Sequence, residues 1–238
     1  MGVNNRNSIV TNGLLLYLDA GNPNSYPGSG TTWNDLSGNG FNATLSGTVL
    51  PTYTPSNGGG ILFNSSSATN QCATTPNSTA MNLFTYTLCG WINPNGYGSG
   101  GKGRIIDRDD GSAEGYELKV DNVNVANGVT IDNSDGGGIF LAVANQTVLG
   151  QWVYFCGTFL DGGAGSGSAI LYKNGVNIGA ATIQSPTSIS APIRIGNTNN
   201  SDRNFDGIIS IAKVYNRVLS GSEILQNYNA QKSRFNLT

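Results

Sequence analysis

The sequence contains no histidine, and that absence excludes several kinds of catalytic and metal site. A Ser-His-Asp or Cys-His catalytic set cannot be assembled without the imidazole base. A zinc site loses its usual nitrogen ligand as well, and the sequence has no Cys-x-x-Cys pair. We therefore expect neither a histidine-dependent hydrolase nor a zinc protein.

Charged residues are scarce, at 11% of the 238 residues, and the net charge is −2. The 12 lysines and arginines are scattered singly, so no basic surface is expected to follow a phosphate backbone and bind nucleic acid. No hydrophobic run approaches the length of a membrane span, so membrane insertion is not expected. Residues 1–13 are polar, and Leu14–Leu16 is too short an apolar run for a secretion signal.

Cysteine is rare too, with Cys72, Cys89 and Cys156 as the three examples. Cys89 and Cys156 lie inside apolar strand-like runs, where a reduced thiol behaves as a small hydrophobic side chain. Buried free thiols are the preferred interpretation. A Cys89–Cys156 bridge between two strands is the alternative.

Glycine, asparagine, serine and threonine separate short apolar runs along the whole chain. This composition favours an all-β protein with many turns. The sequence shows no fixed-period repeat and no linker long enough to divide it. We expect an N-terminal arm over residues 1–12 and one domain over residues 13–238.

The last part of the chain predicts a single short helix. Gly207–Tyr215 alternates as a strand, and a helix is expected from Leu219 to about Lys232. Ser220 and Glu223 have the spacing of a capping box. The stripe expected to be buried consists of Ile224, Leu225 and Tyr228.

Three strand regions give more specific expectations. Gln151–Leu160 is apolar on both faces, whereas a sandwich strand normally presents one polar face to water. A loop, the helix or another chain must therefore cover its outer face. Ile170–Ile178 predicts a β-hairpin with Asn174-Gly175 in the turn. Ile105–Arg108 and Tyr116–Val120 flank an acidic turn and are expected to pair.

The ordered set of motifs resembles the concanavalin A-like lectin/glucanase superfamily, in its laminin-G-like jelly-roll branch. The motifs that carry the resemblance are LLLYLDA (Leu14–Ala20), WNDLSGNG (Trp33–Gly40), ILFN (Ile61–Asn64), FTYTLCGWINP (Phe84–Pro94), QWVYFCGTF (Gln151–Phe159), LYKNGV (Leu171–Val176), IRIGN (Ile193–Asn197) and FDGIISIAKVYNRVLSGSEI (Phe205–Ile224). The resemblance implies a two-sheet antiparallel jelly-roll sandwich with one short C-terminal helix. The Gln151 strand would then be central.

Some members of this superfamily are glycoside hydrolases, whose two carboxylates flank the scissile bond. In that branch the carboxylates come from a Glu-x-Asp-x-x-Glu strand. Here the glutamates are Glu114, Glu117 and Glu223; the first two lack that spacing and the third belongs to the helix cap. We therefore expect no enzyme and no catalytic residues.

Two sets of aspartates are candidates for a Ca²⁺ site, because calcium prefers carboxylate and carbonyl oxygens. The densest acidic cluster is Asp107, Asp109 and Asp110, with a solvated hairpin turn as the alternative. The resemblance to laminin-G-like domains, which often hold calcium at the sandwich rim, implies a second set. That set is Asp19, Asp35 and Asp206, with turn capping as the alternative.

Aromatic side chains can stack on the apolar faces of sugar rings. Tyr26, Tyr53 and Tyr97 lie in predicted loops and are the expected exposed candidates for carbohydrate binding. The alternative for each is ordinary packing against its own loop. Trp33, Trp91 and Trp152 are expected in the core.

Such domains occur in bacteriophage tail and capsid-surface proteins and in secreted bacterial adhesins. We expect a non-enzymatic virion structural protein, a capsid decoration or tail component assembled in the host cytoplasm. Its partners would be other virion proteins and further copies of itself. The alternative is a carbohydrate-binding adhesin that recognises host-surface glycans.

Overall fold

Alternating apolar side chains build two antiparallel sheets that enclose the main core. The structure, a computed structural model, describes residues 8–66, 68–111, 114–133, 138–199 and 202–238. Its elements are β1 Leu14–Asp19, β2 Thr32–Trp33, β3 Ala43–Ser46, β4 Thr52–Thr54, β5 Gly60–Phe63, β6 Cys72–Thr74, β7 Tyr86–Pro94, β8 Arg104–Asp109, β9 Glu114–Asp121, β10 Gly128–Asp132, β11 Leu141–Val143, β12 Val153–Asp161, β13 Ser166–Lys173, β14 Val176–Gln184, β15 Arg194–Ile195, β16 Gly207–Tyr215 and the helix α1 Gly221–Gln231.

In the described residues each sheet contains eight strands. Sheet A has the order β14-β13-β12-β7-β16-β5-β4, and β1 pairs with β16 as well. Sheet B has the order β11-β10-β9-β8-β15-β6-β3-β2. Every strand pair is antiparallel, so the predicted two-sheet sandwich is confirmed, with β12 in the interior of sheet A.

The core lies between the inner faces of the two sheets. Sheet A contributes Leu88 and Phe155, and sheet B contributes Leu118 and Ile131, all fully buried in one cluster. Residues of alternate position share a face because successive strand side chains point to opposite sides. Described residues include no helix long and apolar enough to cross a membrane.

The helix α1 begins where the sequence predicts it. The Ser220 side chain accepts a hydrogen bond from the Glu223 backbone N–H, and the Glu223 carboxylate accepts one from the Ser220 N–H, which completes the capping box. Ile224 and Tyr228 are buried as expected, but Leu225 is 43% exposed. The prediction for Leu225 is wrong because the sheet contacts a narrower stripe of the helix than expected.

The helix and the turn after it cover the outer face of sheet A. Tyr154 of β12 and Trp91 of β7 share a second buried cluster with Tyr228 and with Phe235 of the 3-10 turn Lys232–Phe235. The Trp91 ring centroid lies 4.2 Å from that of Phe235. The apolar outer face of the Gln151–Leu160 strand is therefore explained by the helix, and no second chain is needed to bury it.

Cys89 and Cys156 form a disulfide beneath the helix, between directly opposite residues of β7 and β12. The preferred interpretation of three free thiols is wrong for this pair, because the strand register places their Cα atoms 4.1 Å apart. Cys72 is free and buried.

Local turn chemistry also matches the sequence. Asn174 and Gly175 have φ values of 51° and 84° between β13 and β14. Positive φ at both central residues is the signature of a type I′ hairpin turn. The pairing of β8 with β9 is confirmed too, with Asp107 opposite Glu117.

Candidate functional site

The three candidate sugar-binding tyrosines differ in exposure. Tyr26 is 4% exposed and its hydroxyl donates to the Gly30 carbonyl oxygen. The expectation that Tyr26 is exposed is wrong, because the ring packs against its own loop and against Tyr53. The two ring centroids lie 5.4 Å apart. Tyr53 and Tyr97 are half-buried. The loop prediction for Tyr53 is wrong, because this residue lies in β4 and pairs with Ile61 of β5. Tyr97 donates to Asn127 Oδ1 at 2.7 Å.

The rim aspartates do not converge on one point. Asp35 accepts hydrogen bonds from the backbone N–H groups of Tyr17, Ser37 and Phe41. Asp35 therefore caps its turn, as the alternative to a metal ligand predicted. Asp19 is buried and pairs with Arg234 at 2.6 Å. Asp206 lies elsewhere, in the cavity described below.

The acidic cluster of Asp107, Asp109 and Asp110 does not form a metal site either. Asp107 is fully buried and accepts from Arg104 Nε at 3.0 Å, while Asp109 accepts from the Gly111 backbone N–H. Asp110 is exposed. Within the described ranges, no group of three or more Asp, Glu or Cys side chains is arranged to hold a metal ion. The Ca²⁺ prediction therefore finds no geometric support at either set.

Asp107 belongs instead to a buried network on the face of sheet B that points away from the main core. Arg104 contacts Asp107 and Glu117, while Lys119 contacts Glu117 and Asp132. All five residues are at most 5% exposed. The strand register aligns the three carboxylates in one row across β8, β9 and β10. Sequence reasoning missed this network, although alternation along residues 116–121 does indicate one polar face.

The network contains a carboxyl group with a raised pKa, but it is buried away from solvent. Burial raises the pKa of Asp107 to about 8, against the lowering effect of the Arg104 guanidinium. The Oδ1 atom of Asp107 has no hydrogen-bond partner among the described residues. A carboxyl group of this kind can hold a proton near neutral pH. Because its residues are buried, the network offers no open pair of catalytic acids within the described part of the chain.

An open cavity of about 310 Å³ lies at the side of the sandwich, where loops that join the two sheets meet β4 and β5 at the edge of sheet A. This volume is at the lower end of the range for small-molecule sites, about 300–1,000 Å³. Its lining combines apolar and polar side chains, including Val49, Leu50, Leu62, Asn64, Asn95 and Asp206. We call this feature the lateral cavity.

Gln71 holds the walls of the lateral cavity in place. Its Oε1 accepts from the Asn64 backbone N–H at 2.6 Å. Its Nε2 donates to the carbonyl oxygens of Val49 and Leu50, both at 3.1 Å. Because Gln71 is only 5% exposed, these bonds form in a low-dielectric environment, which strengthens them. The apolar wall is therefore fixed without a ligand.

Asp206 supplies the charge of the lateral cavity. Its backbone carbonyl oxygen accepts from the N–H groups of Asn95 and Gly96, and its Oδ2 accepts from Ser65 Oγ at 3.2 Å. Its Oδ1 accepts no hydrogen bond from the described residues. A Cβ atom on Gly96 would lie 2.5 Å from Asp206 Oδ2, so glycine at position 96 leaves room for the carboxylate.

Of the cavity residues, sequence reasoning singled out Asp206 alone. It missed Val49, Leu50, Asn64 and Asn95, which come from three separate loops. No local pattern marks them, because the fold brings them together from distant positions in the chain.

Comparison with solved structures shows the same architecture in proteins of low sequence identity. Domain 4 of AbnA, an extracellular arabinanase from Geobacillus stearothermophilus, was solved in complex with arabinotriose. It has a TM-score of 0.66 and 16% identity, over 90% of this chain and 98% of that domain. The receptor-binding domain of botulinum neurotoxin type G has a TM-score of 0.63 and 17% identity, over 92% of this chain.

The chain spans 51% of that neurotoxin domain and 34% of a third similar structure, the Trypanosoma rangeli sialidase. The sialidase has a TM-score of 0.63 and 16% identity, over 95% of this chain. At these identities the similarity shows the fold alone. A search of curated proteins finds no significant match.

A family model supplies the sequence-level link. The model of the laminin G-like family within the concanavalin A-like lectin/glucanases superfamily matches residues 65–225, which is more than half of the chain. The match includes most strands of both sheets and the first residues of the helix. The chain belongs to the concanavalin A-like lectin/glucanase superfamily.

Proposed function

We propose that the protein is a non-enzymatic attachment module that binds a surface glycan in the lateral cavity. The observation that carries this proposal is the combination of open apolar side chains and unused polar atoms at one place. Val49 and Leu50 are 60% and 45% exposed, and Asp206 Oδ1 and the Asn95 side chain make no hydrogen bond within the described structure. Sugar rings present C–H faces and hydroxyl groups, which such a lining complements.

Two structural neighbours support a binding role without assigning it. The arabinanase domain was solved with a bound arabinotriose, and the neurotoxin domain is described as receptor-binding. Both share the sandwich, but function depends on sites that vary between members of one fold. The proposal for this chain therefore rests on the lateral cavity.

A binding role also agrees with the placement of the acidic side chains. Retaining and inverting glycosidases need two carboxyl groups that flank a bound sugar. Glu117 and Asp107 are buried on sheet B. The described lining of the lateral cavity contains one carboxylate, that of Asp206, and not a pair. This arrangement favours binding over bond cleavage.

A glycan array with the full chain tests the proposal, followed by calorimetry with each positive glycan. Leu50→Ser should weaken binding, because it removes apolar contact from the cavity wall. Leu160→Ser is the matched control, since Leu160 is 53% exposed and lies at the end of β12, outside the cavity lining. The proposal would be rejected if no glycan bound on the array or at millimolar concentration in solution. It would also be rejected if Leu50→Ser and Leu160→Ser bound a positive glycan with equal affinity.

The second part of the proposal is that a bacteriophage particle carries this module. An apolar surface at the tip of the β13–β14 hairpin supports attachment to other proteins. Val176 is 64% exposed, Leu225 is 43% exposed, and a Cβ on Gly175 would lie 2.7 Å from Leu225. Exposed apolar side chains close to one another can contribute to a protein contact.

Light scattering of the wild type and of Val176→Ser/Leu225→Ser measures self-association at this surface. A homo-oligomer that the double variant dissociates would support the proposal. Cryo-microscopy of a particle that contains the protein would then show its position and copy number. A strict monomer that binds no particle component would contradict the virion role and leave glycan binding intact.

A further inference from the structure

We propose that the lateral cavity selects uncharged sugar residues and rejects sialic acids and other anionic sugars. This inference rests on the proposed glycan-binding function and adds the chemical class of the ligand. The charge of the cavity is its starting point. Among the described residues that line the cavity, Asp206 is the charged one, and none is a lysine or arginine that could neutralise a ligand carboxylate. Two like charges in a partly desolvated pocket repel each other.

The carboxylate of Asp206 also defines what the ligand must donate. An ionised carboxylate can only accept hydrogen bonds, so it needs hydroxyl or amide N–H groups from its partner. Ser65 Oγ already occupies Oδ2, and Oδ1 is available. A sugar hydroxyl that donates to Oδ1 would form a charge-assisted hydrogen bond, which is stronger than a neutral one.

The position of this carboxylate is fixed before any ligand arrives. The Asn95 and Gly96 backbone N–H groups both donate to the Asp206 carbonyl oxygen, at 2.8 and 3.3 Å. Gly96 leaves the space that Asp206 Oδ2 occupies. The acceptor is therefore preorganised, which lowers the entropic cost of binding.

Val49 and Leu50, which also line the cavity, provide the apolar half of the recognition. Val49 and Leu50 are held by Gln71 through their carbonyl oxygens, while their side chains stay exposed. A ring face or an acetamide methyl group can pack on these side chains, with its hydroxyl groups directed to Asp206 and Asn95. The volume of about 310 Å³ suits one terminal sugar residue.

Matched probes separate charge from shape. Lactose and 3′-sialyllactose share the same core and differ by one anionic sugar, and an array of neutral and sialylated glycans widens the comparison. We expect the full chain to bind neutral probes and to bind their sialylated counterparts at least tenfold more weakly. Asp206→Asn should reduce the affinity for neutral probes about tenfold and should narrow the gap to the sialylated ones.

A second variant tests position without changing charge. Gly96→Ala places a methyl group against the Asp206 carboxylate and should weaken neutral-sugar binding while leaving the net charge intact. Asp202→Asn is the control for Asp206→Asn, because it replaces an exposed aspartate outside the cavity lining with asparagine. Circular dichroism and thermal melting establish that each variant is folded.

The outcomes distinguish this inference from the function on which it rests. If glycans bind but sialylated probes bind as well as neutral ones, or if Asp206→Asn and Gly96→Ala leave the affinity unchanged, the protein binds glycans and the selectivity is wrong. If no neutral or sialylated glycan binds the wild type, the proposed function and the inference both fail.

Discussion

The Nζ atom of Lys213 lies 2.7 Å from Oε1 of Gln231, which ties the last residue of α1 to a fully buried amine of sheet A. Trp91 Nε1 donates to the same oxygen at 3.2 Å. Lys213 also lies over the rings of Tyr17 and Tyr154, with centroid distances of 5.2 and 5.9 Å. The helix is therefore anchored by a polar contact inside an aromatic cluster.

Burial of the Lys213 amine should make the free energy of unfolding depend on pH. Burial lowers the pKa of Lys213 to about 7, although Asp19 acts in the opposite direction. Between pH 7 and the usual lysine pKa, the unfolded chain binds a proton that the native chain lacks. Stability should therefore rise with pH in this window, by at most about 1.4 kcal/mol per pH unit.

Lys213→Met should abolish that rise, because methionine fills the space without a titrating group. Urea unfolding at pH 7, 8 and 9 measures it, and at pH 7 the variant should be at least as stable as the wild type. Lys102→Met, at a half-buried lysine in a loop, is the control. An unchanged pH dependence in Lys213→Met would contradict the assignment.

Asp107 should make the free energy of unfolding fall as pH rises. Burial raises its pKa to about 8, so between pH 4 and 8 the native chain holds a proton that the unfolded chain releases. The contribution of Asp107 to stability is thus lost as pH rises through this range. Asp107→Asn keeps the shape and removes the titration.

Chemical unfolding at pH 5 and pH 8 measures this effect. Asp107→Asn should gain stability relative to the wild type as pH increases, by a few kcal/mol at most. Asp202→Asn, at an exposed aspartate, should show no such gain. An Asp107→Asn protein that is less stable at pH 8 than at pH 5, relative to the wild type, would refute the raised pKa.

Local features of this fold could be predicted from the sequence, because neighbouring residues determine them. The Ser220–Glu223 capping box and the Asn174-Gly175 turn each depend on a few consecutive residues. The motif order that marks the superfamily is likewise visible in the chain. For these features, short-range hydrogen bonds and backbone preferences decide the structure.

Features that depend on distant contacts could not be predicted. The burial of Glu117 follows from its register opposite Asp107 and Asp132, which no local pattern specifies. The lateral cavity joins Leu50, Asn95 and Asp206 from three separate loops. The alternation of polar residues in β9 is consistent with one polar face, but only the packing shows that this face is covered.

The Cys89–Cys156 disulfide gives a prediction with a direct chemical measurement. Air-oxidised protein, denatured without reductant, should show one free thiol per chain, from Cys72, and three after reduction. The bridge closes a loop with a sequence separation of 67. Cys89→Ala/Cys156→Ala should therefore lose about 4 kcal/mol of stability, because the unfolded chain gains conformational entropy once the bridge no longer restricts it. Three thiols before reduction would show that the bridge is absent.

Phe235 should be essential for the cover over sheet A. Its ring is 2% exposed and lies 4.2 Å from Trp91 and 4.6 Å from Trp152, measured between centroids. Phe235→Ala removes a large buried side chain and should lose about 3–5 kcal/mol of stability. It should also shift tryptophan fluorescence to longer wavelength, because water gains access to both indoles. Phe84→Ala, at a phenylalanine 44% exposed, should change neither quantity appreciably. If Phe235→Ala behaved like Phe84→Ala, the C-terminal segment would not seal the sheet.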